Sequence, residues 1–213
     1  MSLNPIQKPV QWLTAVTIVA FGIYLTVSSH GDFVLWLNDR HTAIGDVFFK
    51  YWTYVGDGFL LGAVALIFLL TNYYRFNVML IAIVLQTIFV HLFKQWLWAG
   101  EPRPKTFFAE QIDQLNFVEG VVVRSFDSFP SGHTASAFTL CFFLMLTTKK
   151  IGVQIFLFVA AVLVGISRVY ILQHFARDIF FGAIFGIIAV LLAAAFMKKY
   201  EGRPSLERGL LRH

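Results

Sequence analysis

Residues 151–197 read IGVQIFLFVAAVLVGISRVY, then ILQHFAR, then DIFFGAIFGIIAVLLAAAFM. Two apolar runs, each close to the roughly 20 residues a bilayer-crossing helix needs, meet at a short polar junction. That junction and the residues flanking it carry Arg168, His174, Arg177 and Asp178. Charge set against a membrane segment is costly and by default marks a site. Long apolar blocks broken by short charged junctions predict spanning helices, not the short alternating strands of a membrane barrel.

The rest of the chain repeats the pattern. Runs at about 10–28, 54–71, 76–93, 133–148, 151–170 and 178–197 predict an all-α, polytopic bundle of six transmembrane helices in one domain over 1–213. The run at 133–148 is short, and spans only if tilted or if its start is buried in protein. Of 213 residues, 58% are hydrophobic and only 14% charged, with mean hydropathy +0.70, whereas a soluble domain carries roughly 25% charged residues. The segment 10–27 has no clear small-residue cleavage site after it and reads as an uncleaved first helix. The mixed segment 31–55 reads either as an interfacial stretch or as a plain loop. The net charge of +5 sits at helix ends and not on one soluble face, which speaks against nucleic acid. The single cysteine, Cys141, allows no internal disulfide and suggests no zinc site.

Basic residues set the orientation. With a cytoplasmic N-terminus, Lys8, Arg75, Lys149, Lys150, Lys198, Lys199, Arg203, Arg208 and Arg212 fall inside. Eight others fall outside, three of which (Lys94, Arg103, Arg168) belong to the suspected site, leaving nine against five. Both termini are then cytoplasmic, and three charged clusters emerge together on the outer face.

Those clusters carry the chemistry. His174 and Asp178, four residues apart, share a helix face if the last helix begins near Leu172, and the carboxylate can then hold one imidazole nitrogen protonated and leave the other free to attack. Arg168 can reach the same anion. The alternative is an interfacial salt-bridge cluster in which Asp178 pairs with Arg177 or Arg168. Pro130-Ser131-Gly132-His133 opens a helix whose amides point at a bound anion. Ser131 adds a hydroxyl, Gly132 allows close approach, and His133 can protonate a departing alkoxide. The bland reading is a helix cap. In Glu101-Pro102-Arg103-Pro104 the prolines fix the backbone around a guanidinium able to grip two phosphate oxygens, with Lys94 as a further point charge. The alternative there is a proline-rich exit loop with a snorkelling lysine. His30, His41 and the terminal His213 receive no role, and His91 reads as a packed polar contact.

Together these clusters resemble the type 2 phosphatidic acid phosphatase family, integral-membrane lipid phosphatases that share their active site with vanadium haloperoxidases. The resemblance covers roughly residues 46–197, including Asp46, Thr53 and Gly56-Asp57. Ser167-Arg168, His174 and Asp178 match the third motif residue for residue, and Pro130 to His133 match the second. The first matches at Arg103-Pro104, but eight residues separate Lys94 from Arg103 where the family has six, and the expected lysine position is Trp96. The resemblance implies a mechanism without metal or cofactor. His174 attacks phosphorus, oriented by Asp178. His133 protonates the leaving oxygen and then activates water against the phosphohistidine. Lys94, Arg103, Ser131, Gly132 and Arg168 hold the phosphate oxygens.

The expected protein is therefore a membrane lipid phosphatase of the bacterial cytoplasmic membrane with its site facing outward. Its expected partners are the bilayer and a lipid phosphate or diphosphate: undecaprenyl diphosphate, phosphatidic acid, phosphatidylglycerol phosphate or a lipid A phosphate. No nucleic acid and no obligate protein partner is expected. A lipid phosphotransferase and a non-catalytic lipid-binding or translocating protein are the rival readings.

Overall fold

The computed structural model describes residues 3–211, so Arg212 and His213 lie outside it. Its α-helices are α1 (Lys8–Val27), α2 (Asp32–Asn38), α3 (Ala43–Trp52), α4 (Gly58–Thr71), α5 (Tyr73–His91), α6 (Pro104–Phe107), α7 (Gly132–Met145), α8 (Ile151–Tyr170) and α9 (Ala176–Met197). An isolated β bridge pairs Pro102 with Phe126. Several helices begin where a side chain satisfies an otherwise orphaned amide. Thr42 accepts from Gly45 N–H, Asp57 from Phe59 N–H and Asn72 from Arg75 N–H. The segment 31–55 is no plain loop, since it forms α2 and α3.

Among the described residues four helices are long and apolar enough to cross a membrane: Lys8–Val27, Tyr73–Leu97, Ile151–Tyr170 and Ala176–Tyr200. The run expected at 54–71 is a bent element. α3 and its 3₁₀ turn (Thr53–Gly56) meet α4 at 46°, and this pair makes a fifth span if counted as one. The run expected at 133–148 folds as α7, only 14 residues long.

α7 is the axis of the bundle: eleven of its 14 residues are buried, and it packs against α9, α8 and α5. Close contact with α9 depends on two small residues one turn apart, as is common where membrane helices touch. A Cβ on Gly182 would lie 2.6 Å from the Ser131 carbonyl oxygen, and one on Gly186 would lie 2.5 Å from that of Ala135. Gly56 likewise lets the 3₁₀ turn press on the His133 carbonyl, 2.4 Å from where a Cβ would stand. Backbone proximity, and not side-chain reach, thus brings the start of α7 to the start of α9.

A second apolar cluster supports the α8–α9 junction from outside the bundle. Val34 and Leu37 of α2, with Phe108, pack against Ile171, Leu172 and Phe175. α1 touches α8 and α9, leaving an apolar cavity of about 540 Å³ beside Phe21, Phe138, Phe158 and Phe180.

Candidate active site

Three helix ends and one loop converge on a polar cavity of about 410 Å³. Ser131 caps α7, its Oγ accepting from the Thr134 amide at 3.4 Å and the Thr134 hydroxyl at 2.9 Å. Its own amide donates to the Asp178 carbonyl at 3.0 Å, tying α7 to α9. Gly132 and His133 follow and line the cavity. Free amides of a first helical turn, with the positive end of the helix dipole, favour an anion there.

Arg168 sits in the last turn of α8, 7% exposed. Its Nη1 donates to Thr53 Oγ1 at 2.8 Å, while its Nε has no hydrogen-bond partner among the described residues. The loop after α8 turns through Leu172, whose φ of 57° places a buried, non-glycine residue in the left-handed region. Such strain persists only where surrounding structure holds it. The amides of Gln173 and His174 both donate to the Arg168 carbonyl, so the turn hands His174 back toward the arginine.

His174 is 2% exposed. Its Nδ1 lies 3.4 Å from Asp178 Oδ2 without forming a hydrogen bond, and its Nε2 lies 3.5 Å from Arg103 Nη1. Burial, followed by the charges of Arg103, Arg168 and Lys94, pushes the imidazole pKa well below its ordinary value. Burial and those cations therefore favour the neutral ring. Asp178, fully buried, accepts from Ser128 Oγ at 2.5 Å and from the Phe175 amide at 2.9 Å, both on Oδ2. Of the arginines named in the salt-bridge alternative, Arg177 does approach Asp178, but loosely, its Nε 3.9 Å from Oδ1.

Arg103 is clamped by neutral acceptors. Nε donates to the Phe126 carbonyl, Nη1 to both the carbonyl and Oε1 of Gln173, and Nη2 to the Asp127 carbonyl, at 2.8 to 3.1 Å. None of these acceptors neutralises its charge. Burial, with Arg124 beside it, lowers its pKa to about 10, which leaves it cationic at neutral pH.

Lys94 resolves the spacing departure. Residues Leu92–Leu97 form a π-helical turn at the end of α5. The wider i→i+5 turn and the bend after it absorb the longer spacing to Arg103. Lys94 lines the cavity, while Trp96, at the position the motif spacing picks out, is 80% exposed.

Of the eight site residues expected from sequence, Lys94, Arg103, Gly132, His133, Arg168 and His174 line this cavity. Asp178 stands behind His174, and the Ser131 hydroxyl is buried against Thr134. The sequence reading gave no role to Ser128, Gln173, Lys50 or Arg124, the last three of which also line the cavity. Only the family-like stretch around Thr53 hinted at that residue, and no spacing rule singles out Ser128. His91 is exposed at the end of α5 and not a packed contact. His30 reaches the site's outer edge, its ring centroid 3.9 Å from that of Phe175, and burial with Arg177 nearby lowers its pKa. Among the described residues no group of three His, Cys, Asp or Glu side chains is gathered as a metal site would need.

Residues 75–201 match the profile of the PAP2 superfamily. The chain belongs to that superfamily. It is a PAP2-type membrane lipid phosphatase, a phosphoric ester hydrolase. It is 28% identical over 218 residues to phosphatidylglycerophosphatase B of Bacillus subtilis strain 168, covering 91% of this chain and 97% of that one. It is 32% identical over 134 residues to lipid phosphate phosphatase 1 of Arabidopsis thaliana, a stretch that is 52% of this chain and 40% of the plant protein. The structure resembles the crystal structure of Aquifex aeolicus LpxE, with a TM-score of 0.67 and 29% identity over 78% of this chain and 94% of the other. It shares its fold with the PAP2-type phosphatidylglycerolphosphate phosphatase of Bacillus subtilis, at TM-score 0.61 and 23% identity over 92% and 97% of the two chains.

Proposed function

We propose that this protein hydrolyses the terminal phosphate of a membrane lipid phosphate or diphosphate through a phosphohistidine on His174, without a metal. The observation that carries this reading is the cavity wall: Lys50, Lys94, Arg103, Arg124 and Arg168 surround His133 and His174, and no carboxylate lines it. A dianionic phosphate is the ligand such a wall selects. Phosphoryl transfer asks chiefly for positioning and charge stabilisation. His174 Nε2 attacks phosphorus while Asp178 steadies Nδ1–H. The cations and the Gly132 amide spread the charge on the equatorial oxygens, and Ser131 caps the turn that presents that amide. His133 protonates the leaving oxygen, then takes a proton from the water that releases phosphate from His174. The lipid alcohol, or the lipid monophosphate where the substrate is a diphosphate, leaves first and inorganic phosphate second.

α7 serves as a sixth crossing in this reading, its shortness met by burial at the bundle axis. The excess of basic residues on the loops opposite the site supports cytoplasmic termini and an outward-facing site. A bilayer location beside the cavity favours lipid substrates. The near full-length similarity to a phosphatidylglycerophosphatase puts phosphatidylglycerol phosphate in the panel beside phosphatidic acid, undecaprenyl diphosphate and lipid A.

The test is phosphate release in detergent with EDTA, wild type against His174→Ala, over that panel. Release that survives chelation and disappears in the mutant supports the reading, and relative rates rank the substrates. Metal-dependent release untouched by the mutation sinks it.

A further inference from the structure

Glu101 and Arg177 have no part in the steps above, yet they form an ion pair at the edge of the site, Arg177 Nη2 to Glu101 Oε1. Side chains are 20% and 35% exposed respectively, and the guanidinium also lies over the Phe129 ring at 5.1 Å. A partly exposed pair of this kind contributes little on its own and would need no explanation. This one leads to the carboxylate behind the nucleophile.

Asp178 has two oxygens in different situations. Oδ2 takes both hydrogen bonds, from Ser128 and the Phe175 amide. Oδ1 has no hydrogen-bond partner among the described residues, and Arg177 Nε stands 3.9 Å away. Arg177 is held there by the Glu101 carboxylate. Ser128 is held by Glu101 as well, because the Ser128 amide donates to the Glu101 carbonyl at 3.1 Å. Two of the three contacts on the Asp178 carboxylate, those of Arg177 and Ser128, therefore lead back to one residue, the first through its side chain and the second through its backbone. That residue also directly precedes Pro102-Arg103, whose guanidinium faces the other nitrogen of His174.

We infer that Glu101 is a positioning residue: through Arg177 on one side and Ser128 on the other it fixes the Asp178 carboxylate, and so aims the His174 ring. The inference rests on the reading of His174 as nucleophile with Asp178 behind it. Partners that orient a directly acting group in this way typically matter by about 10- to 100-fold in activity.

The experiment uses the full chain in detergent with the best lipid phosphate of the panel. Glu101→Gln removes the carboxylate charge at nearly constant shape, and Arg177→Gln removes the cation. Arg177→Lys and the exchange Glu101→Arg with Arg177→Glu restore a cation or the pair. The expected result is a fall in kcat of about tenfold or more in each single Gln variant, with KM and inhibition by inorganic phosphate unchanged. The double Gln variant should lose no more than the worse single one, and Arg177→Lys should recover part of the loss. Thermal unfolding in the same detergent identifies any variant that fails to fold, and Arg177→Lys then carries the comparison. A wild-type kcat in both Gln variants, or a loss carried by KM alone, overturns the inference. His174→Ala and Asp178→Asn separate the two readings: if they keep activity, the proposed function itself fails, whereas if they lose it and the Gln variants do not, only the role of Glu101 fails.

Discussion

Gly182→Ala puts one methyl group against the backbone on which the site is built. The new Cβ would stand 2.6 Å from the Ser131 carbonyl oxygen, 3.2 Å from Thr134 Cβ and 3.4 Å from the Ala135 nitrogen. Ordinary contact begins near 3.4 Å, so the first of these is short by about 0.8 Å, and the atom it meets is backbone. The clash can be relieved only by moving the first turn of α7 and the start of α9 apart. Overpacking of this sort costs about 1–3 kcal/mol of stability. The larger effect falls on the reaction, since those two turns carry Ser131 to His133 on one side and Asp178 on the other. A misplacement of about 1 Å can cost about 100-fold in rate. Gly182→Ala should therefore fold, melt somewhat lower and lose one to two orders of magnitude in kcat, measured as phosphate release from detergent-solubilised lipid phosphate. Gly62→Ala is the matched control, with nothing within 4 Å of its Cβ. It should keep full activity and gain about 0.5–1 kcal/mol from helix propensity. Wild-type kcat in Gly182→Ala, with an unaltered melt, would refute the claim that backbone contact between α7 and α9 sets the site.

Ser128→Ala removes the hydroxyl that donates to Asp178 Oδ2. Hydrogen bonds to charged groups are worth about 1.5–3 kcal/mol, so kcat should fall about 10- to 100-fold with KM little changed. Lys94→Met should lower kcat/KM by a similar factor for the same reason, while Trp96→Ala, a change on an exposed side chain, should leave it alone; the reverse pattern would mean that the motif spacing and not the π-helical turn locates the lysine. The pH profile tests the state of His174. Its pKa is lowered, so the nucleophilic neutral ring persists as the pH drops below the ordinary histidine value of 6.5. The acid limb of kcat/KM assigned to this group should lie below pH 6.5, and an acid limb above that value in the wild type would contradict the burial argument.

The sequence made most of this legible because membrane helices announce themselves by length and because charge at their ends has few uses. The runs at 10–28, 151–170 and 178–197 became α1, α8 and α9 within a few residues. His174 and Asp178 could be paired from their i, i+4 spacing, although Asp178 lies just inside α9 and His174 just before it. What hydropathy could not show was the bend between α3 and α4, which depends on the break at Gly56-Asp57. Ser128, Gln173 and Arg124 escaped for a related reason. They lie on irregular backbone, where no period predicts direction, and their approach to Arg103 and Asp178 is a tertiary fact. Thr53 was visible only as part of a family-like stretch, since nothing local says that a buried arginine would seek its hydroxyl.

The π-helical turn at Leu92–Leu97 has a consequence for how such proteins vary. Two extra residues in a regular α-helix amount to about 200° of rotation, enough to swing a lysine from the phosphate to the lipid. Here the helix keeps its course and the widened turn takes the slack, so Lys94 still faces the cavity. Distance along the chain and reach in space come apart at that point. A search keyed to a fixed count of residues lands on Trp96 and reports a missing cation, whereas one keyed to the end of the helix finds it. In this chain the added length is taken up at that turn without surrendering the charge, so the count of residues shifts while the anion site keeps its lysine.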